Sequence, residues 1–200
     1  MDYCTVAQLR AELGDDGAVL PETLLQKAVT AASRAVDGWC GRPPGAFGLS
    51  ELTTRLYRPC DPVTAAVDDI GSREGLTVAT DDDGDGVFET IWDATEYVLE
   101  PLNADTRGTA YAWQAITAVG ARRWPCGSLR PALRVTARWG WSAVPDDVTA
   151  ATILRAVALF KRKEAPYGVA EFGEFGPVRI SRQDTDVISL LTPYRRWVVA

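Results

Sequence analysis

The chain is 200 residues long, with 46% hydrophobic and 24% charged residues, 21 basic against 27 acidic side chains and no histidine. That balance fits a folded domain, or one domain with a modest insertion. The missing histidine excludes Ser-His-Asp and Cys-His triads, imidazole acid–base chemistry and His-ligated zinc, and a formal charge of -6 argues against a chain that grips DNA non-specifically.

Thr5 to Leu13 reads as a short helix, with a cap-like Thr5, apolar Val6, Leu9 and Leu13, and Gly14 at its end. Gly14-Asp15-Asp16-Gly17 is a turn. Pro21 fits the first position of a second helix, with Glu22 favourable in its first turn. Leu24, Leu25, Ala28, Ala32, Ala35, Val36 and Trp39 then recur at helical spacing, and the alanines permit close helix–helix approach. Gly41, Pro43, Pro44 and Gly45 stop this helix.

From about Leu52 the period changes. Runs rich in Val, Thr and aromatics lie between turn signals: Leu52–Arg58, Ala65–Ile70, Leu76–Thr80, Val87–Trp92, Glu96–Leu99, Ile116–Val119 and Leu133–Trp139. They predict the strands of a small antiparallel sheet. Asn103–Thr109 is a polar loop. Helix signals return with Pro145, Asp146 and Asp147, followed by Val148, Ala151, Leu154, Val157 and Ala158. Lys161-Arg162-Lys163 complement the dipole at the far end. Pro166–Pro177 is a Gly- and aromatic-rich loop with Tyr167, Phe172 and Phe175. Val178–Ser181 reads as a brief strand and Asp184–Leu191 as a last helix, stopped by Pro193. The fold class is therefore α+β. A helical module from both chain ends (1–48 and 143–200) carries an inserted small antiparallel β domain (49–142).

Residues 1–150 hold 13 Lys/Arg and 22 Asp/Glu, whereas 151–200 hold 8 and 5. An acidic body with a basic tail implies either two surfaces with different partners or ordinary solvation of two faces. Cys4, Cys40, Cys60 and Cys126 contain no CxxC, which argues against structural zinc. Two disulfides are arithmetically possible, and reduced thiols in a cytosolic product are the default expectation. No signal peptide or transmembrane stretch is expected. Seven tryptophans predict large aromatic core or subunit-contact residues.

The sharpest local motif is Asp81-Asp82-Asp83-Gly84-Asp85-Gly86, the first half of a calcium loop. Asp81, Asp83, Asp85 and Glu89 are the candidate ligands for a weak Ca²⁺ site. Trp92 stands where a bidentate Glu belongs and flanking helices are not predicted, so an EF-hand is excluded. The competing reading is an acidic hairpin tip in which Asp and Gly supply turn geometry. Asp68-Asp69 and Asp146-Asp147 are adjacent pairs whose side chains diverge in a strand. No G-x-S-x-G elbow, P-loop or dinucleotide fingerprint is present. The expectation is a protein without catalytic residues. Arg122-Arg123-Trp124 and Arg134, Arg138 and Trp139 predict cation–π stacking within the sheet or across a subunit contact.

Several runs in their order carry a resemblance: Tyr3-Cys4-Thr5-Val6, Ala31 to Arg42 through Gly38-Trp39-Cys40-Gly41, Val78 to Gly86, Ala137-Arg138-Trp139-Gly140-Trp141, Val144-Pro145-Asp146-Asp147-Val148, Leu159 to Lys163, Ser181-Arg182-Gln183-Asp184, and Tyr194-Arg195-Arg196. Over nearly its whole length the chain resembles the head–tail connector (adaptor, head-completion) proteins of tailed bacteriophages, of the actinobacteriophage type. The resemblance implies a non-enzymatic ring, usually of twelve copies, below the portal protein in the virion neck, assembled in the host cytoplasm. Such a ring extends the channel through which genomic DNA passes without sequence-specific binding, and offers a platform to the next neck or tail-completion protein; no membrane is involved. Carried over by position, Asp184, Val187, Ile188, Leu190, Leu191, Tyr194, Arg195 and Arg196 are the portal-binding residues. The β insertion departs from the shortest, nearly all-helical members. The alternative from another class is a Ca²⁺-dependent β-domain binding module centred on Asp81–Glu89.

Overall fold

The computed structural model describes residues 1–14, 20–106, 109–127, 129–164, 169–171, 177–179 and 185–196. The chain divides into two compact units, Met1–Gly45 with Pro145–Ala200, and Ala46–Val144. The architecture is mixed α+β, with helices toward both chain ends and an antiparallel sheet in the middle.

In the first unit, Thr5 caps helix α1 (Val6–Leu13). Its hydroxyl accepts from the Gln8 N–H at 3.2 Å, and the Gln8 side chain accepts from the Thr5 N–H at 2.8 Å. This reciprocal box satisfies two donors that a helix start leaves over. Helix α2 spans Glu22–Cys40, and Pro21 is its cap rather than its first residue. Fixed at φ -59 and ψ 135, Pro21 offers its carbonyl to the N–H groups of Leu24 and Leu25 at 3.0 and 3.2 Å. Gly41 ends the helix in the left-handed region at φ 66, where a side chain would be strained. Helix α3 (Asp146–Glu164) packs on α2, and α1 packs on both. Cys4, Leu9, Leu25, Val29, Ala32 and Ala156 form their shared core. Alanines at the crossing leave room for the helices to approach closely. Strands β7 (Val169–Glu171) and β8 (Pro177–Arg179) pair antiparallel. The short last helix α4 (Thr185–Leu191) runs into a 3-10 turn over Thr192–Tyr194.

A buried polar knot complements this thin core. Asp37 is 2% exposed, accepts from the Tyr3 hydroxyl and from the Gly45 N–H at 3.1 Å, and forms an ion pair with Arg34 at 2.9 Å. The Ser33 hydroxyl accepts from the Tyr3 N–H and donates to the Val29 carbonyl. One carboxylate thus joins the start of the chain, helix α2 and the turn after it.

The second unit is a six-stranded antiparallel sheet. Its strands are β1 (Leu52–Tyr57), β2 (Thr64–Thr80), β3 (Thr90–Trp92), β4 (Tyr97–Glu100), β5 (Trp113–Ala118) and β6 (Leu133–Trp139). The order is β1-β6-β2-β5-β4, with β3 on the far part of β2. Strand β6 alternates buried and half-buried residues along its length, as period-two patterning requires. Arg134, Thr136 and Arg138 share its outer face.

The sequence predicts two strands, Ala65–Ile70 and Leu76–Thr80, where the structure has one. Residues 71–75 do not turn. They form irregularities that shift the register between Ile70, Ser72 and Thr77. Gly71 is required there by crowding, because a Cβ would sit 2.9 Å from the Gly140 carbonyl oxygen. Strand Val87–Trp92 is likewise shorter than expected, since Val87–Glu89 stay in the preceding loop.

The core of this unit is aromatic. Trp92, Trp113, Trp124 and Trp139 are all at most 5% exposed, among Ile70, Val78, Ile116, Leu133 and Val135. Trp92 stacks on Trp124 at 4.0 Å between centroids. Three indole N–H groups find acceptors at 2.8–3.0 Å, Trp92 on Thr80, Trp124 on Val63 and Trp139 on Thr53. Such acceptors offset the cost of burying an indole N–H; the Trp113 indole N–H is buried without a hydrogen-bond partner among the described residues. Trp39, in contrast, is 37% exposed. Trp197, with Tyr167, Phe172 and Phe175, lies outside the described residues.

Candidate functional site

The acidic loop joins β2 to β3, from Thr80 to its partner Thr90. Asp81 is 2% exposed, and its two carboxylate oxygens accept the N–H groups of Gly84 and Gly86 at 2.7 and 2.9 Å. Asp83 and Asp85 each accept the N–H two residues on, at 3.1 and 2.7 Å. These are the local side-chain turns that Asp favours. Gly84 and Gly86 take φ 80 and 98, which residues with a Cβ rarely adopt. Of the four candidate ligands, Asp81, Asp83 and Glu89 offer oxygens within 4.8 Å of one another, and Asp85 is not part of that group. Arg130, which no sequence motif singles out, donates to the Gly84 and Asp85 carbonyls at 3.3 and 3.5 Å. The loop thus combines three convergent carboxylates with an arginine beside them. Chemically it can hold a hard cation through oxygen atoms, or hold itself as a turn.

The paired carboxylates have structural partners. Asp68 accepts from Arg55 at 2.7 Å and from the Tyr57 hydroxyl at 3.0 Å, while Asp69 is buried. Burial pushes the Tyr57 phenol well above the usual tyrosine range. Asp146 and Asp147 lie in the first turn of α3, as the helix-start signal predicts, and Asp147 accepts from the Tyr194 hydroxyl at 3.0 Å. Cation–π stacks do occur in the sheet: Arg55 on Trp139 at 4.5 Å, Arg73 on Trp113 at 4.6 Å, Arg122 on Trp92 at 5.2 Å and Arg134 on Phe88 at 5.0 Å.

The carboxy-terminal segment is anchored on the helical unit. Asp184 lies outside the described residues. Val187 and Leu191 are 8% and 1% exposed, and helix α4 packs on α2 and α3. Ile188 and Leu190 are half-buried. Beyond the helix, the Arg196 N–H donates to the Cys40 carbonyl at 2.9 Å, and Arg42 donates to the Tyr194 carbonyl at 3.1 Å. The Arg195 guanidinium lies 5.5 Å from the Trp39 ring centre. Burial, then the neighbouring Arg196, brings the Arg42 guanidinium down to about 10, so it stays charged at neutral pH. Among the described residues of that set, Val187 and Leu191 are inward anchors, and Tyr194, Arg195 and Arg196 lie beside Arg42, Trp39 and Cys40. Trp39 falls on the helical period, whereas Arg42 lies beyond the helix and outside it. The Gly38-Trp39-Cys40-Gly41-Arg42 run at the end of α2 carries both.

No protein-family model matches the chain, and no curated protein matches it by sequence. Solved structures do match by fold. One is from the neck of an empty gene transfer agent particle computed with C6 symmetry, with a TM-score of 0.54 and 20% identity, covering 98% of this chain and 90% of that one. A second is from the neck of the native particle computed with C12 symmetry, with a TM-score of 0.51, 20% identity and the same coverage. A third is from the virion of the native particle, with a TM-score of 0.52 and 22% identity. At these identities the likeness is one of fold, and it spans both units.

Proposed function

We propose that this protein is a structural, non-enzymatic subunit of the neck of a tailed phage or phage-like particle. It would act as a head–tail adaptor that forms a homo-oligomeric ring, of twelve copies, below the portal protein. The observation that carries the reading is the fold likeness over 98% of the chain to neck and virion structures. The order of sequence runs supports the same reading independently. Heterologous head-to-tail contacts between identical subunits close such rings. A net charge of -6 suits a channel that DNA traverses without sticking. The ring would sit in the virion neck, assemble in the host cytoplasm and present a platform to the next neck or tail-completion protein.

In this reading the carboxy-terminal segment docks on the portal. Val187 and Leu191 hold it on the helical unit, and Ile188, Leu190, Tyr194, Arg195 and Arg196, with Asp184, make up the proposed portal-contacting set. Co-expression with a portal protein from the same genome, followed by cryo-EM, tests the proposal. A ring stacked on the portal is the expected result; a chain that stays monomeric beside portals carrying other neck proteins would overturn it. Replacing Arg195 and Arg196 by Ala is expected to weaken portal attachment while circular dichroism stays unchanged.

A calcium-dependent binding module is the second reading, favoured by the convergence of Asp81, Asp83 and Glu89. Arg130 beside the loop weighs against it, since a fixed cation opposes a second one. Calorimetric titration with CaCl₂ separates the two: absence of heat at millimolar ion leaves the loop as a turn.

A further inference from the structure

The four cysteines fall into two settings. Cys4 and Cys40 are buried in the helical unit, and burial pushes both thiols up to about 11. Cys60 and Cys126 are exposed in the β unit. They are far apart in sequence, yet the backbone brings their neighbours together. Ala118 N–H donates to the Val63 carbonyl at 2.7 Å, Trp124 N–H to the Pro62 carbonyl at 2.8 Å, and Ala132 N–H to the Tyr57 carbonyl at 3.0 Å. The Trp124 indole adds a bond to the Val63 carbonyl at 2.8 Å. Residues 57–63 are therefore tied to Ala132 at one end and to Ala118 and Trp124 at the other. Two steps outward from the Pro62–Trp124 bond lead along one stretch to Cys60 and along the other to Cys126. A disulfide requires their Cα atoms to approach within roughly 4.4–6.8 Å. The Cys126 thiol is raised by burial, then by the Asp61 carboxylate, then by the Cys60 sulfur, so the two sulfurs lie within each other's field.

We infer that Cys60 and Cys126 are an oxidisable pair, which closes to an intrachain disulfide when the protein meets a disulfide oxidant. With glutathione disulfide, one cysteine thiolate attacks an oxidant sulfur, the oxidant's S–S bond breaks, and a glutathione thiolate leaves. The second cysteine thiolate then attacks the protein-bound sulfur and expels the other glutathione. Two protons and two electrons pass from the thiols to the oxidant. The bond would pin the strand-linking segments where β2 begins and β5 ends, and would leave the buried Cys4 and Cys40 reduced. A chain made in a reducing cytoplasm and released into an oxidising medium would undergo this change once.

The test uses the full-length reduced protein, incubated with glutathione disulfide, blocked with iodoacetamide and read by intact mass and peptide mapping. The expected result is a Cys60–Cys126 linked peptide, loss of two hydrogens in mass, no retained glutathione, and a thermal midpoint raised by several degrees. Cys60→Ser is expected to stop at a glutathione adduct on Cys126, with no rise in the midpoint. Stable glutathione adducts on both cysteines of the unaltered protein, two unreacted thiols, or linkage only between chains would each overturn the inference.

Discussion

The two units solve the burial problem with different materials. The β unit packs four tryptophans between strands and ties three of their indoles to backbone or hydroxyl oxygens. The helical unit packs alanine, cysteine, valine and leucine, and then ties its parts through one buried carboxylate, Asp37. The first is insensitive to charge and sensitive to volume. The second is sensitive to charge and to the loss of a single acceptor.

The largest expected effect tests the volume side. In Gly140→Ala, the new methyl would overlap the Gly48 carbonyl oxygen at a residue held at φ 111. Both terms oppose folding, so the tryptophan fluorescence of the β unit is expected to shift fully to that of solvent-exposed indole. Trp113→Ala comes next, at about 3–5 kcal/mol of stability, measured by urea unfolding followed at the tryptophans. Asp37→Ala strikes the helical unit instead. It removes the acceptor shared by the Tyr3 hydroxyl and the Gly45 N–H and the ion-pair partner of Arg34, at about 3 kcal/mol; helical ellipticity should be lost at lower urea while tryptophan fluorescence holds.

Alkaline titration sharpens the same contrast. Cys4 and Cys40 ionise near 9 when unfolded and near 11 when folded, because burial disfavours the thiolate. Their stabilisation is complete below pH 9 and is lost as pH rises toward 11, at on the order of 2 kcal/mol each. The helical signal should therefore weaken within that window in thermal melts run at stepped pH. The smallest effect is Thr5→Ala, about 1 kcal/mol, read as a lowered thermal midpoint of the helical signal.

Much of this architecture is written in local chemistry. The Thr5–Gln8 box, the stop at Gly41 and the alternation of Leu133–Trp139 each follow from neighbours a few residues away. What escapes such reading is long-range. Residues 71–75 carry two glycines and look like a turn, yet β6 and Gly140 hold them in one strand. Asp37 looks like an exposed helix residue, and only the returning chain start at Tyr3 makes it buried. At the acidic loop, the Asp-Gly spacing locates the turn, while Arg130 reaches it from a distant loop. The carboxy-terminal segment shows its apolar period in sequence, but which residues face inward depends on α2 and α3.

Strand β2 carries a consequence for how this protein tolerates change over evolutionary time. It runs for 17 residues, about 56 Å if straight. It pairs mainly with β5 in its first part and with β6 and β3 in its last. A one-residue slip in a strand turns every side chain to the other face. The irregularities between Ile70 and Thr77 separate the two stretches, so an inserted or deleted residue there is absorbed locally. The strand works as a splice between two registers, and lineages can lengthen or trim one end of the sheet without rewriting the packing of the other.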